Sequence, residues 1–200
     1  MRRGWTKSSL CTSVALLLTI SAGAGQAPRS DASKRANELT LAGLRPGRDT
    51  LSVVLKRYKA KYLSEGSRNN ASATDPKEWR DPCTGRSLTV TADEKSVIQE
   101  ITVSSLASSN GKCDDRRFDA LDMKGWTTGR GLHLGDPRDH ITELYGEPGS
   151  SGPSVKGSHE LEFLYYAFDW AGTEVPQVLE VYCERDSGRV VEITLAFPSL

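Results

Sequence analysis

Leu179-Glu180-Val181-Tyr182-Cys183-Glu184-Arg185-Asp186-Ser187-Gly188-Arg189-Val190-Val191-Glu192-Ile193-Thr194-Leu195 is a β-hairpin pattern. Leu179, Val181 and Cys183 recur with a period of two, the signature of a strand with one buried face. Arg185-Asp186-Ser187-Gly188 supplies turn chemistry, and Val191, Ile193 and Leu195 form the return strand. The same order occurs earlier in the chain. Leu88 and Val90 alternate, Asp93-Glu94-Lys95-Ser96 turns, and Val97, Gln99, Ile101 and Val103 return. The return strands share a tetrapeptide type, Glu100-Ile101-Thr102-Val103 against Glu192-Ile193-Thr194-Leu195.

A glycine-led segment and a helix precede each hairpin. After Gly43-Leu44-Arg45-Pro46-Gly47, the residues Leu51, Val54, Leu55, Tyr58 and Tyr62 fall on one face of a helix over Asp49–Tyr62. After Gly131-Leu132-His133-Leu134-Gly135, Asp136 caps a helix with Pro137 at its first position. Ile141, Leu144 and Tyr145 form its buried face, and Gly146 and Pro148 end it. The doubled order predicts an α+β protein of two tandem helix-plus-antiparallel-sheet repeats, residues 28–124 and 125–200. The second repeat has an additional strand candidate, Leu161–Trp170, and Gly149-Ser150-Ser151-Gly152 has linker composition. The first has in that place a polar stretch, residues 64–81, expected to be a mobile loop.

The chain has 200 residues, with 37% hydrophobic and equal numbers of basic and acidic side chains. This balance excludes a disordered, collagen-like or multi-span membrane protein and removes strong basicity as an argument for nucleic acid. At the N-terminus Arg2, Arg3 and Lys7 precede a short apolar core, Val14 to Ile20, and small-residue cleavage sites at Ala24 and Ala27. Residues 1–27 are therefore expected to be a secretory signal, leaving a soluble secreted or periplasmic protein without a membrane span. Cys11 lies before the apolar core, where a lipoprotein cysteine cannot be. The mature halves differ in charge: residues 28–124 carry four more basic than acidic groups, and 125–200 seven more acidic than basic.

Reactive chemistry is sparse. No Gly-x-Ser-x-Gly elbow or phosphate-binding glycine loop is present. Asp136, Asp139, His140 and Glu143 cluster on one short helix, where acidic residues at the start complement the helix dipole. Cys183 with His133 or His140 is the one nucleophile–base combination, and Cys183 alternates with core positions. No cofactor and no metal site is expected. The most informative stretch is Glu160-Leu161-Glu162-Phe163-Leu164-Tyr165-Tyr166-Ala167-Phe168-Asp169-Trp170, which carries apolar residues on both faces of a strand. Leu161, Phe163, Tyr165 and Ala167 are expected to be packed interior. Tyr166, Phe168 and Trp170, joined by Tyr182 from the next strand, are expected to be a partner surface; packing against the first repeat is the alternative.

The segment Gly131 to Pro148, with Leu132, Gly135, Asp136, Ile141, Leu144, Tyr145 and Gly146, resembles the opening of BamE-like (SmpA/OmlA) domains. The Gly188-Arg189-Val190 turn exit is similar to that of their last hairpin. The same unit occurs in tandem in the β-lactamase inhibitory protein. The resemblance covers residues 126–198, and more weakly 39–105. It implies binding to a protein without catalysis. The expected function is thus an exported, non-catalytic protein-binding module with an unknown protein partner. The alternative is a small secreted hydrolase with its site at the repeat junction.

Export permits disulfides, and Cys83 and Cys113 flank the first hairpin, so they are expected to be bridged while Cys183 stays a buried thiol. Such a loop closure stabilises by about 3–4 kcal/mol. Non-reducing peptide mapping of the exported protein is expected to recover Cys83 linked to Cys113, with Cys183 alkylated only after denaturation.

Overall fold

Both hairpins read from the alternation form, and each return strand pairs with the other. In the computed structural model the described residues are 37–59, 63–69, 72, 74–81, 83–108, 123–168 and 177–197. All lie in one compact unit extending over Asp31–Leu200. The expected signal segment lies outside them. In chain order the elements are α1 (Leu51–Tyr58), α2 (Glu65–Asn69), β1 (Lys77–Asp81), β2 (Arg86–Ala92), β3 (Ile98–Ser104), α3 (Arg138–Tyr145), β4 (Ser150–Lys156), β5 (His159–Phe168), β6 (Gln177–Glu184) and β7 (Val190–Ala196). A 3-10 turn, Met123–Gly125, precedes α3.

The seven strands make one antiparallel sheet in the order β1-β2-β3-β7-β6-β5-β4. This corrects the expected α+β tandem architecture. The described residues are predominantly β, the three α-helices among them have 8, 5 and 8 residues, and residues on both sides of position 124 share one sheet. The physical reason is the matched parity of the two related strands. β3 and β7 pair with Ile101 opposite Leu195 and Val103 opposite Ile193. Each strand would otherwise present an unpaired row of backbone donors and acceptors, and pairing them satisfies both rows while merging two apolar faces into one.

Two strands were hidden by their composition. The expected mobile loop 64–81 contains α2 and β1. Trp79 is fully buried in β1 opposite Leu88, although its neighbours are all charged. The Gly149–Gly152 linker reading is corrected too, because β4 begins at Ser150 and pairs along its length with β5. It is an edge strand, exposed on both sides, which is where a sheet tolerates Ser, Gly and Pro. The first helix is shorter than expected, Leu51–Tyr58, and Tyr62 lies outside the described residues. In α3 the N-cap is Pro137, not Asp136, whose carboxylate is engaged by His133 and His140.

The core occupies one face of the sheet, here called inward. Leu88, Val90, Ile101, Val103, Ile193, Leu195, Leu179, Val181, Leu164, Tyr166 and Phe168 point into it. They are covered by α1 through Val54 and Tyr58, by α3 through Ile141 and Tyr145, and by Leu41, Leu44, Trp126 and Leu132 from the segments before those helices.

A buried carboxylate ties the covering segments together. Glu38 is 1% exposed and accepts hydrogen bonds from the amides of Leu39 (2.8 Å), Thr40 (3.0 Å), Gly129 (2.9 Å) and Arg130 (3.1 Å). Tyr145 Oη of α3 donates to its second oxygen at 2.7 Å and stands 2.8 Å from Thr128 Oγ1. Gly129 has to be glycine for this approach, since a Cβ there would lie 2.7 Å from Glu38 Oε1 and 2.6 Å from Thr40 Oγ1. Burial, then the neighbouring Glu38 charge, pushes the Tyr145 hydroxyl far above its ordinary range. Replacing Glu38 by Gln removes the charge from these bonds and leaves one amide facing a donor. Urea unfolding of Glu38→Gln is expected to show a loss of about 2–3 kcal/mol, and Gly129→Ala a loss of similar direction.

Candidate functional site

The sheet's outward face is assembled by residues one step out of phase with the core. β5 presents Leu161, Phe163, Tyr165 and Ala167; β6 presents Val178, Glu180 and Tyr182; β7 and β3 present Glu192, Thr194, Glu100, Thr102 and Ser104. None of these belongs to the core cluster.

The expected partner row is thereby corrected. Tyr166 and Phe168 are 0% and 1% exposed and pack on Tyr145 of α3, with ring centroids 5.7 and 6.2 Å away. Tyr166 Oη also donates to the Gly146 carbonyl at 3.1 Å. Trp170 lies outside the described residues. Tyr182 sits on the opposite face from Tyr166 and Phe168 and so does not join them. The register decides this: Leu164 faces Val181 and Tyr166 faces Leu179, which binds the parity of β5 to the inward row of β6. Both rows of β5 hold aromatic and aliphatic residues, so the alternation within β5 alone does not separate them.

An aromatic cluster forms on the outward face instead. Phe163 and Tyr182 are directly opposite in the β5–β6 ladder, with centroids 5.1 Å apart, and Tyr165 is 6.3 Å from Phe163. Phe163 and Tyr165 are half-buried and Tyr182 is 9% exposed. Lys156 Nζ lies 3.5 Å from the centre of the Tyr182 ring and forms an ion pair with Glu192. Tyr182 Oη donates to Glu180 at 3.2 Å. At the centre of the face Thr102 Oγ1 and Thr194 Oγ1 are 2.9 Å apart across the β3–β7 ladder. Beside them a shallow trough of about 450 Å³ is lined by Arg80, Thr89, Thr102, Ser104, Lys156 and Glu192 among others.

The electrostatics of this face are dominated by carboxylates. Glu100 is pushed up from its ordinary range by burial and by the Glu180 and Glu192 charges, with Lys156 opposing. Burial pushes the Tyr182 hydroxyl up, reinforced by Glu180. Burial depresses the Lys156 ammonium, but its hydrogen bond to Glu192 and the Glu192 charge outweigh this and leave it raised. Lys156 thus answers Glu192 and Glu100, and Glu180 adds a further carboxylate beside Glu100 and Tyr182.

The other expected reactive groups are structural here. Cys183 is a fully buried free thiol pushed up to about 12 by burial and by the Glu162 charge. It stays protonated at neutral pH, which leaves no thiolate for a Cys–His pair. Cys83 is absent from the free thiols, and Cys113 lies outside the described residues. Among the described residues no three His, Cys, Asp or Glu side chains are placed to hold a metal. No helix among them is long and apolar enough to cross a membrane. No protein-family model, curated protein or solved structure matches this chain.

The acidic cluster at the start of α3 resolves into a clamp centred on Asp136. Its Oδ2 accepts from the His133 amide at 3.0 Å, from His133 Nδ1 in a short contact, and lies 3.1 Å from His140 Nδ1. Burial raises the Asp136 carboxyl, but the hydrogen bonds from His133 and His140 together outweigh it and hold it below its ordinary range. A carboxyl depressed in the folded state stabilises above its unfolded value and loses that stabilisation as pH falls through the folded value. Asp136→Asn is therefore expected to destabilise at neutral pH. The difference from the parent protein in urea unfolding is expected to shrink as pH falls below the ordinary carboxylate range.

Proposed function

We propose that the protein is an exported, non-catalytic protein-binding module of the bacterial envelope or extracellular space, and that it takes its partner on the outward sheet face. The observation that carries this reading is the pairing of an aromatic cluster, Phe163, Tyr165 and Tyr182, with an acidic set, Glu100, Glu180 and Glu192, on a rigid sheet outside the core. Rigid aromatic side chains ringed by charges are the anatomy of interface hot spots. Net negative charge on the face favours a partner that presents Lys or Arg there. The secretory pattern of residues 1–27 supports the location, and the Gly131–Pro148 resemblance to BamE-like domains supports binding over catalysis.

A photo-crosslinking residue in place of Tyr165 tests this in envelope extract, with the same residue in place of Val155 as control. Val155 is 70% exposed and lies on the other row of the sheet. A discrete protein adduct is expected from Tyr165 and not from Val155, and Glu180→Lys is expected to abolish it. Absence of a Tyr165-specific adduct overturns the reading. With the partner in hand, Tyr165→Ala is expected to weaken binding about thirtyfold, with stability changed by no more than about 0.5 kcal/mol.

A further inference from the structure

A second recess lies on the inward side, between the start of β2 and the segment leading into α3. It encloses about 320 Å³ and is lined by Arg86, Lys124, Trp126, His133 and Leu134. Two cations, an imidazole, an indole and a leucine meet here with no carboxylate among them. Arg86 and Lys124 form no ion pair with any described residue.

Trp126 supplies a second, independent observation. It is 2% exposed and packs edge-on against Tyr58, with ring centroids 6.4 Å apart. Its indole Nε1–H is fully buried and has no hydrogen-bond partner among the described residues. Leaving a buried donor unsatisfied costs its full desolvation, and folded proteins retain few of them. Here the orphan donor belongs to a side chain that lines a recess with two unpaired cations. His133 is held through Nδ1 by Asp136, so its position is set by the clamp at the start of α3. The group complementary to this set is an anion that accepts hydrogen bonds, with an apolar portion to cover Leu134 and the indole.

We infer that this recess binds a small organic carboxylate. The carboxyl group meets Arg86 and Lys124, its apolar body rests on Leu134 and the Trp126 ring, and a shift of that ring on binding brings the buried Nε1–H to the carboxylate. The volume, about 320 Å³, stands at the small end of the range that ligand pockets span and has room for a small aromatic or aliphatic acid. The inference is independent of the outward face, since Arg86 shares the inward parity of Leu88 and Val90.

The experiment is a titration of ¹⁵N-labelled protein with benzoate, benzamide and inorganic phosphate, read at the tryptophan indole resonances. Trp126→Phe assigns the Trp126 signal. If that variant does not fold, the signal is assigned by through-space contacts to Tyr58. Benzoate is expected to shift this resonance saturably. Benzamide and phosphate are each expected to bind at least about tenfold more weakly, one lacking the charge and the other the apolar body. Arg86→Gln and Lys124→Gln are each expected to weaken benzoate about tenfold while leaving the thermal midpoint in place. A Trp126 resonance that benzoate does not move, or benzamide binding as tightly as benzoate, overturns the proposal. Phosphate binding as tightly as benzoate overturns the assignment of an organic acid.

Discussion

The ladder between β3 and β7 is the constraint from which the rest of the structure follows. It joins the return strands of the two hairpins, one from the middle of the chain and one from near its end, and through the neighbouring ladders its register carries across the sheet. With Ile101 opposite Leu195 and Val103 opposite Ile193, the inward rows of both hairpins merge into one surface. A slip of β3 by one residue against β7 would turn Thr102 toward the core and carry Ile101 and Val103 outward. The Thr102–Thr194 hydroxyl contact at 2.9 Å marks the register from the polar side. Both the aromatic cluster and the acidic set on the outward face inherit their positions from this seam.

Parts of this architecture were legible in the sequence because a single physical signal dominated locally. Period-two alternation and Asp- or Gly-containing turns located β2, β3, β6 and β7. Amphipathic spacing located α1 and α3 to within a few residues. What stayed hidden has identifiable causes. β1 owes its place to one side chain, Trp79, inside a run of charges, and β4 carries almost no apolar signal because both its faces are near water. The doubled pattern implied two units, whereas strand edges with matching parity are better satisfied by pairing with each other. That Tyr166 and Phe168 face inward has the same origin: parity is a property of the ladder, and the ladder is a long-range contact.

The polar features that matter most carry no local signature at all. Glu38 is one of 26 acidic residues, and only the fold brings the Gly129 and Arg130 amides and the Tyr145 hydroxyl to it. Trp126 looks like an ordinary core aromatic until its indole N–H is found without an acceptor. In both cases the information lies in whether a buried polar atom is satisfied, a quantity that exists only after the chain has folded.

The two outermost strands have a consequence for how the sheet meets other chains. Beyond β1, Leu63 bridges Trp79 and the Ser64 amide donates to the Glu78 carbonyl at 2.8 Å, so part of that margin is already occupied. At the other end Pro153 strips an amide donor from β4, between Gly152 and serines that add little to a lateral contact. Lateral growth, by which exposed sheets polymerise into fibrils or capture extended peptides, is disfavoured at both margins. A chain built this way is suited to high local concentrations, where copies that stacked edge to edge would be lost to aggregation.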